Sequence, residues 1–162
     1  MKIKIFAILI LFSFCSPNTV DQNIFIDPSD LKNLKTLDTN ENIDISNKNF
    51  FIINYWASWC LECIEEHPFL IELSKTKGFE DSVFMLSFQD SRENALKFIT
   101  EYGTGNINYI VEENSKVAIY SGVFGVPETH IVKNGEVIKK YIGPISINDF
   151  QEIINNYSHL TN

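Results

Sequence analysis

The feature that most restricts this chain is the run Phe50-Phe51-Ile52-Ile53-Asn54-Tyr55-Trp56, seven residues without a charge and with one amide. β-Branched and aromatic side chains at odd and even positions alike can all be buried only in the middle of a sheet, so the run predicts a central strand covered on both faces. Soon after it, Cys60-Leu61-Glu62-Cys63 opens a stretch of helical period. Ile64, Leu70, Ile71 and Leu73 share a face as far as about Thr76, and Gly78 supplies the stop. Pro68 falls inside this helix, where the missing backbone donor predicts a kink one to two turns beyond the cysteines.

The remaining segments fit around that strand–helix junction. Short apolar–polar alternations about a turn-rich centre predict a hairpin over Leu37–Ile45, ahead of the main sheet. Val83–Phe88 predicts a second buried strand, and Asp90-Ser91-Arg92-Glu93 a capping box. Ala95, Phe98, Ile99 and Tyr102 then recur at helical spacing until Gly103. Asn108–Val111 reads as a short strand, Ser115–Tyr120 as a short helix and Gly122–Pro127 as a loop. Asn134-Gly135 between Thr129–Lys133 and Glu136–Tyr141 is a strong hairpin signal. Ser146 can cap a last helix lined by Ile147, Phe150, Ile154 and Tyr157. The order predicts an α/β fold over residues 35–162, with a central mixed sheet flanked by helices on both faces and an added N-terminal β-hairpin.

The chain's 162 residues, 44% of them hydrophobic, suffice for one core. A formal charge of −8, with basic residues single or paired as in Lys139-Lys140, leaves no basic stripe for phosphates and excludes nucleic acid as a partner. The start is different in kind. Met1-Lys2-Ile3-Lys4 is basic, Ile5–Phe14 is apolar apart from Ser13, and Cys15-Ser16-Pro17 follows. Residues 1–15 thus have the layout of a secretory or lipoprotein signal, with a run too short to span a bilayer comfortably. Cys15 is either the last residue before cleavage or a lipidated anchor, and Phe14 is bulky for the second. Residues 16–34 are polar and read as a tether or irregular lead-in. The domain is therefore expected outside the cytoplasm, in the periplasm or on the outer face of the cytoplasmic membrane, touching a membrane only through such an anchor.

Two thiols at this spacing, where a buried strand meets a helix, form a reactive dithiol. The unpaired N–H groups and positive dipole end at the helix N-terminus favour a thiolate at Cys60, while Cys63, one turn in, is more buried. Cys60 is then the nucleophile that forms a mixed disulfide with a client, and Cys63 the thiol that resolves it. Two blander readings stand beside this one. Half a zinc site would need further ligands, and His67, His130 and His159 show no ligand pairing, so no metal is expected. A static disulfide is permitted in an exported protein but closes a loop too small to constrain the unfolded chain much.

Taken together, "NYWASWCLECIEEHP" (Asn54–Pro68) and "YSGVFGVPETHIVKNGEVIKKYIGP" (Tyr120–Pro144) resemble the thioredoxin-like superfamily, and within it the extracytoplasmic thiol-disulfide oxidoreductases of the TlpA, ResA and DsbE type. The resemblance covers about residues 35–157. It implies a protein disulfide reductase whose redox element is the Cys60–Cys63 disulfide, with no other cofactor. Clients would be disulfide-bearing proteins, in a setting such as cytochrome c maturation, and a membrane thiol-disulfide protein would donate electrons to a monomer of this chain. Pro127 becomes the cis-proline against the dithiol, leaving the Val126 backbone free to pair with an extended client. Trp56 is expected in the core and Trp59 exposed beside Cys60. Thioredoxin has a buried aspartate where this chain has Asn54, and the TlpA and ResA group has a glutamate where it has Glu66. Glu66, three residues after Cys63, is thus the expected proton acceptor for it, with a helix-surface role as the alternative. Glu65 and His67 read as solvated or packing residues, and Glu128 as reaching the rim of the site. Leu61-Glu62 departs from the proline many relatives carry between the cysteines, and Glu62 should oppose a very low Cys60 pKa, which leans toward reduction. Competing functions are a thiol peroxidase of the same superfamily, for which no peroxidatic motif surrounds either cysteine, and a non-enzymatic adaptor or metallochaperone, for which Met85 is the only nearby soft ligand.

Overall fold

A computed structural model of the chain describes residues 24–112 and 114–160. The proposed signal over residues 1–15 and Cys15 lie outside the described residues. Seven strands form one sheet: β1 (Leu34–Thr36), β2 (Asn42–Ile43), β3 (Phe50–Trp56), β4 (Val83–Ser87), β5 (Asn108–Val111), β6 (Glu128–Lys133) and β7 (Glu136–Ile142). Their order across the sheet is β2-β1-β5-β4-β3-β6-β7. β3, β4 and β5 run parallel, and every other pairing is antiparallel. The seven-residue apolar run is the central strand the sequence predicts, buried at every position.

Among the described residues four α-helices pack on the sheet: α1 (Leu61–Lys75), α2 (Arg92–Tyr102), α3 (Lys116–Tyr120) and α4 (Ile147–Tyr157). One face of β3 presents Phe50, Ile52 and Trp56 to a core shared with α1, α2 and α4, including Leu70, Phe98 and Ile153. The other face presents Phe51, Ile53 and Tyr55 to a thinner layer made by α3 and the segment before β1, including Ile26, Leu31 and Val117. Strand alternation places Asn54 on the first face, between Ile52 and Trp56. That position sets its chemistry.

Several boundaries differ from the sequence reading. The early hairpin pairs Leu34 with Ile43 and Lys35 with Asn42, so its first strand starts ahead of residue 37. The lead-in over 24–34 is irregular but packed: Ile26 and Leu31 are buried, Pro28–Leu31 forms a 3-10 turn, and Phe25 bridges to Glu136. With no regular period, these apolar residues carry no pattern to read. The box at Asp90 is not formed. Ser91 is the N-cap of α2 and accepts from the Asn94 N–H at 3.2 Å, while Asp90 accepts from the Ser58 and Ser91 N–H groups. The capping box occurs instead at α4, where Ser146 and Asp149 exchange hydrogen bonds. α1 runs unbroken through Pro68 to its cap at Thr76.

Candidate active site

β3 delivers the chain into a turn over Ala57–Trp59, and Cys60 follows as the N-cap of α1 with extended backbone. The turn is held from β4's end: the Ser58 N–H donates to Asp90 Oδ2 at 2.6 Å, and the Trp59 indole N–H to the Gln89 carbonyl at 3.3 Å. Cys60 and Cys63 are joined as a disulfide, with Cα atoms 5.2 Å apart. The Cys63 N–H points at Cys60 Sγ, 3.2 Å away, so the sulfur fills the place an N-cap oxygen usually takes. Cys63 is fully buried and Cys60 nearly so.

Opposite the disulfide, the Val126–Pro127 peptide is cis and the Val126 carbonyl oxygen lies 3.7 Å from Cys60 Sγ. Trp56 is buried, whereas Trp59 is 61% exposed, as the sequence reading expects. Leu61, Phe124 and Ile142 are exposed too, Phe124 almost completely. Leu61 follows Cys60 and Phe124 stands two residues before Val126 in sequence, while Ile142 lies opposite Glu128, the residue after Pro127, in the β6–β7 ladder. Phe124 and Ile142 carry no sequence signal, because a single exposed apolar residue in a loop or at a strand end has no period.

Glu66 is not on the helix surface. It is 1% exposed, on a buried stripe of α1 that runs Cys63, Glu66, His67, Leu70. Asn54 Nδ2 donates to its Oε1 at 2.7 Å, and the Ile145 N–H to its Oε2 at 2.8 Å. Asn54 Nδ2 also donates to Thr129 Oγ1 at 2.9 Å. Burial pushes the Glu66 carboxyl up to about 7, against the pull of those two donors and with help from the Glu62 charge. His67, next in the stripe, packs edge-on against Phe98 and bonds to the Tyr109 hydroxyl at 2.6 Å, and burial holds it down to about 4. It is a packing residue. Glu65 is exposed.

Glu128 does not reach the rim. As the neighbour of Thr129 on β6 it faces the opposite side of the sheet, 4% exposed, where the His130 Nε2–H donates to it at 2.6 Å and Lys140 Nζ at 3.1 Å. Lys140 also donates to the Ser121 carbonyl, and His130 packs edge-on against Tyr55. Burial holds His130 down to about 4, so its ring is neutral at pH 7. Met85 is buried in the core mid-strand. Among the described residues no group of three or more His, Cys, Asp or Glu could hold a metal, and no helix is long and apolar enough to cross a membrane.

A central strand feeding a CxxC disulfide at a helix tip, with a cis-proline across from it, defines a thioredoxin-like fold with a dithiol site. Solved structures agree on the fold. The thioredoxin-family thiol:disulfide interchange protein of Chlorobium tepidum superposes with a TM-score of 0.63 at 19% identity, covering 75% of this chain and 88% of that one. StoA of Bacillus subtilis gives 0.59 at 23% identity, covering 74% and 92%. The exposed lipoprotein thioredoxin of Streptococcus pneumoniae gives 0.65 at 18% identity, covering 75% and 96%.

The chain is related in sequence to the DsbE-type thiol:disulfide interchange proteins. It is 37% identical over 94 residues to CycY of Rhizobium leguminosarum, covering 57% of this chain and 50% of that protein. It is 34% identical over 104 residues to DsbE-2 of Pasteurella multocida, covering 64% and 53%, and 33% identical over 104 residues to HelX of Rhodobacter capsulatus, covering 64% and 57%. The chain thus spans about half the length of the curated relatives it matches. No family model matches it.

Proposed function

We propose that this chain is an exported thiol-disulfide oxidoreductase that reduces the disulfides of client proteins. The observation that carries the reading is the Cys60–Cys63 pair, with its N-terminal sulfur on the Cys63 N–H at the tip of α1 and beside the Val126 carbonyl. When the disulfide opens, that N–H and the helix dipole stabilise negative charge on Cys60 Sγ. The Cys60 thiolate attacks one client sulfur, forming a mixed disulfide and expelling the other client sulfur as a thiolate. Cys63, its proton passed to Glu66, attacks Cys60 Sγ and releases the second client thiolate. Both client sulfurs are reduced, and the chain is left with its disulfide, which a dithiol donor protein must reduce before the next cycle.

Client capture falls to Trp59, Val126 and Pro127, and the exposed Leu61 beside Cys60 and Phe124 two residues before Val126 add apolar surface. The Val126 carbonyl, beside Cys60 Sγ, suits an extended client segment that pairs through its backbone. The basic, apolar N-terminus supports export, with Cys15 a possible point of lipid attachment. The resemblance supplies cytochrome c maturation as a setting and a membrane thiol-disulfide protein as the donor. The test is the reduction potential of Cys60–Cys63 together with a disulfide-reductase assay. A potential near that of strong oxidases, about −120 mV, would overturn the reductase assignment. The variant Cys63→Ser should accumulate mixed disulfides at Cys60, and their sequencing names the clients. The proton role is read separately: Glu66→Gln should remove a step near pH 7 from the rate of thiol exchange, and an unchanged profile would leave Glu66 structural.

A further inference from the structure

Asn54 has an unusual set of partners. It is fully buried in the central strand, its Nδ2 donates to Glu66 Oε1 and Thr129 Oγ1, and its Oδ1 has no hydrogen-bond partner among the described residues. Nothing therefore fixes which end of the amide faces Glu66 except Glu66 and Thr129 themselves. Both can change sides. A threonine hydroxyl donates or accepts by rotating, and a carboxyl group accepts when ionised and donates when protonated.

The two oxygens of Glu66 are not equivalent in this respect. Oε2 accepts from the Ile145 backbone N–H at 2.8 Å, and a backbone donor cannot turn into an acceptor. An acid proton on Oε2 would point at that N–H. The proton of the neutral acid therefore belongs on Oε1, where the group opposite is an amide of nearly symmetrical shape.

We propose that Asn54 is a positioning residue that turns its amide over as Glu66 gains or loses a proton, presenting Nδ2 to the carboxylate and Oδ1 to the carboxylic acid. In the ionised form Nδ2 serves Glu66 Oε1 and Thr129 Oγ1 together. In the neutral form Oδ1 accepts from the Glu66 hydroxyl and from the Thr129 hydroxyl, each using one lone pair. Each form leaves the far end of the amide without a partner, so neither is locked in place. The charged group bearing on this cluster is Glu62 on the same helix; β3 and β6 contribute the neutral Asn54 and Thr129, and the segment before α4 only a backbone N–H. A fixed donor here, such as lysine, would hold Glu66 ionised, and a fixed acceptor would hold it protonated. An amide free to turn lets the proton come and go, which is what an acceptor serving Cys63 in each catalytic cycle requires.

The value of this device to catalysis rests on the reading of Glu66 as the acceptor for Cys63, but the turning itself does not. The test is NMR of the full chain in its disulfide form, following the Asn54 side-chain amide and the Glu66 carboxyl carbon from about pH 5 to about pH 9. Both signals should move with one midpoint. The Nδ2 protons should contact Thr129 at high pH and lose that contact at low pH. In Glu66→Gln, whose amide donates at every pH, Asn54 should hold its low-pH state throughout. A Thr129 contact that persists at both ends of a Glu66 titration makes Asn54 a fixed donor and overturns the proposal. So does a Glu66 carboxyl that does not titrate in the range. If the amide follows Glu66 while Glu66→Gln leaves the pH profile of thiol exchange unchanged, the inference holds and the catalytic reading of Glu66 fails.

Discussion

Two buried carboxylates lie on opposite sides of the sheet, Glu66 on α1 and Glu128 on β6, and they are treated in opposite ways. Glu66, on α1 and turned toward β3 and the segment before α4, has among the described residues neutral donors alone, the Asn54 amide and the Ile145 N–H. Glu128, facing the layer of α3, has a full cation in Lys140 and a second donor in His130. A buried charge with a cation beside it is settled, and its task is to hold strands together. A buried carboxyl among neutral dipoles has a negotiable charge. The same residue type is thus ion-paired one residue after Pro127 and held among neutral dipoles one turn after Cys63. The difference lies in what each is given as a partner.

That contrast can be broken from either side. The largest effect expected is from Lys140→Met, which leaves Glu128 buried without its cation and should cost about 4 kcal/mol of stability in urea unfolding at pH 7. The midpoint of the Glu66 titration should not move, because the two clusters are separated by the sheet.

Next comes Glu66→Gln. Its carboxyl rises from the ordinary 4.5 to about 7, so the native state holds a proton that the unfolded chain has lost between those values. Native stability therefore falls as pH rises through that window. Gln removes the loss, and the variant should be more stable than the parent by about 3 kcal/mol at pH 8, with no gain at pH 4. Equal stability at both pH values would place Glu66 in the same class as Glu128.

The smallest effect is expected from His130→Phe. Burial lowers this imidazole from 6.5 to about 4, so in that range the unfolded chain binds the proton first and stability is lost as pH falls, the reverse of Glu66. Phe should remove about 2 kcal/mol of the parent's decline between pH 6.5 and pH 4, while leaving Glu128 paired with Lys140. A decline of unchanged depth would assign the acid sensitivity to His67, the other neutral buried imidazole.

The sequence shows most clearly what has a period or a fixed spacing. The central strand, the dithiol at the helix tip, the Asn134-Gly135 hairpin and the helix through Phe98 are all of that kind, and all are present. Glu66 is legible only as a glutamate three residues after Cys63. Its burial is hidden because the inner stripe of α1 is polar over its first two turns, so the apolar pattern points to Ile64 and Ile71, which are only partly buried. The Glu128 cluster is illegible for a related reason. Its members come from β6 and β7, and their meeting depends on a strand register that the sequence does not state. Asn54 reads as an absence, a position that cannot titrate. In the fold it is a hydrogen-bonding partner of the group that can.

The two tryptophans add a practical consequence. Trp56 is sealed in the core against Phe98 and Tyr109, whereas Trp59 stands in solvent immediately before Cys60. Disulfides quench nearby indole emission more strongly than thiols do. The shielded Trp56, which shares a core cluster with both cysteines, is expected to emit at shorter wavelength than the solvent-exposed Trp59, so a reduction titration followed at both edges of the emission band should report the opening of the Cys60–Cys63 disulfide without a label.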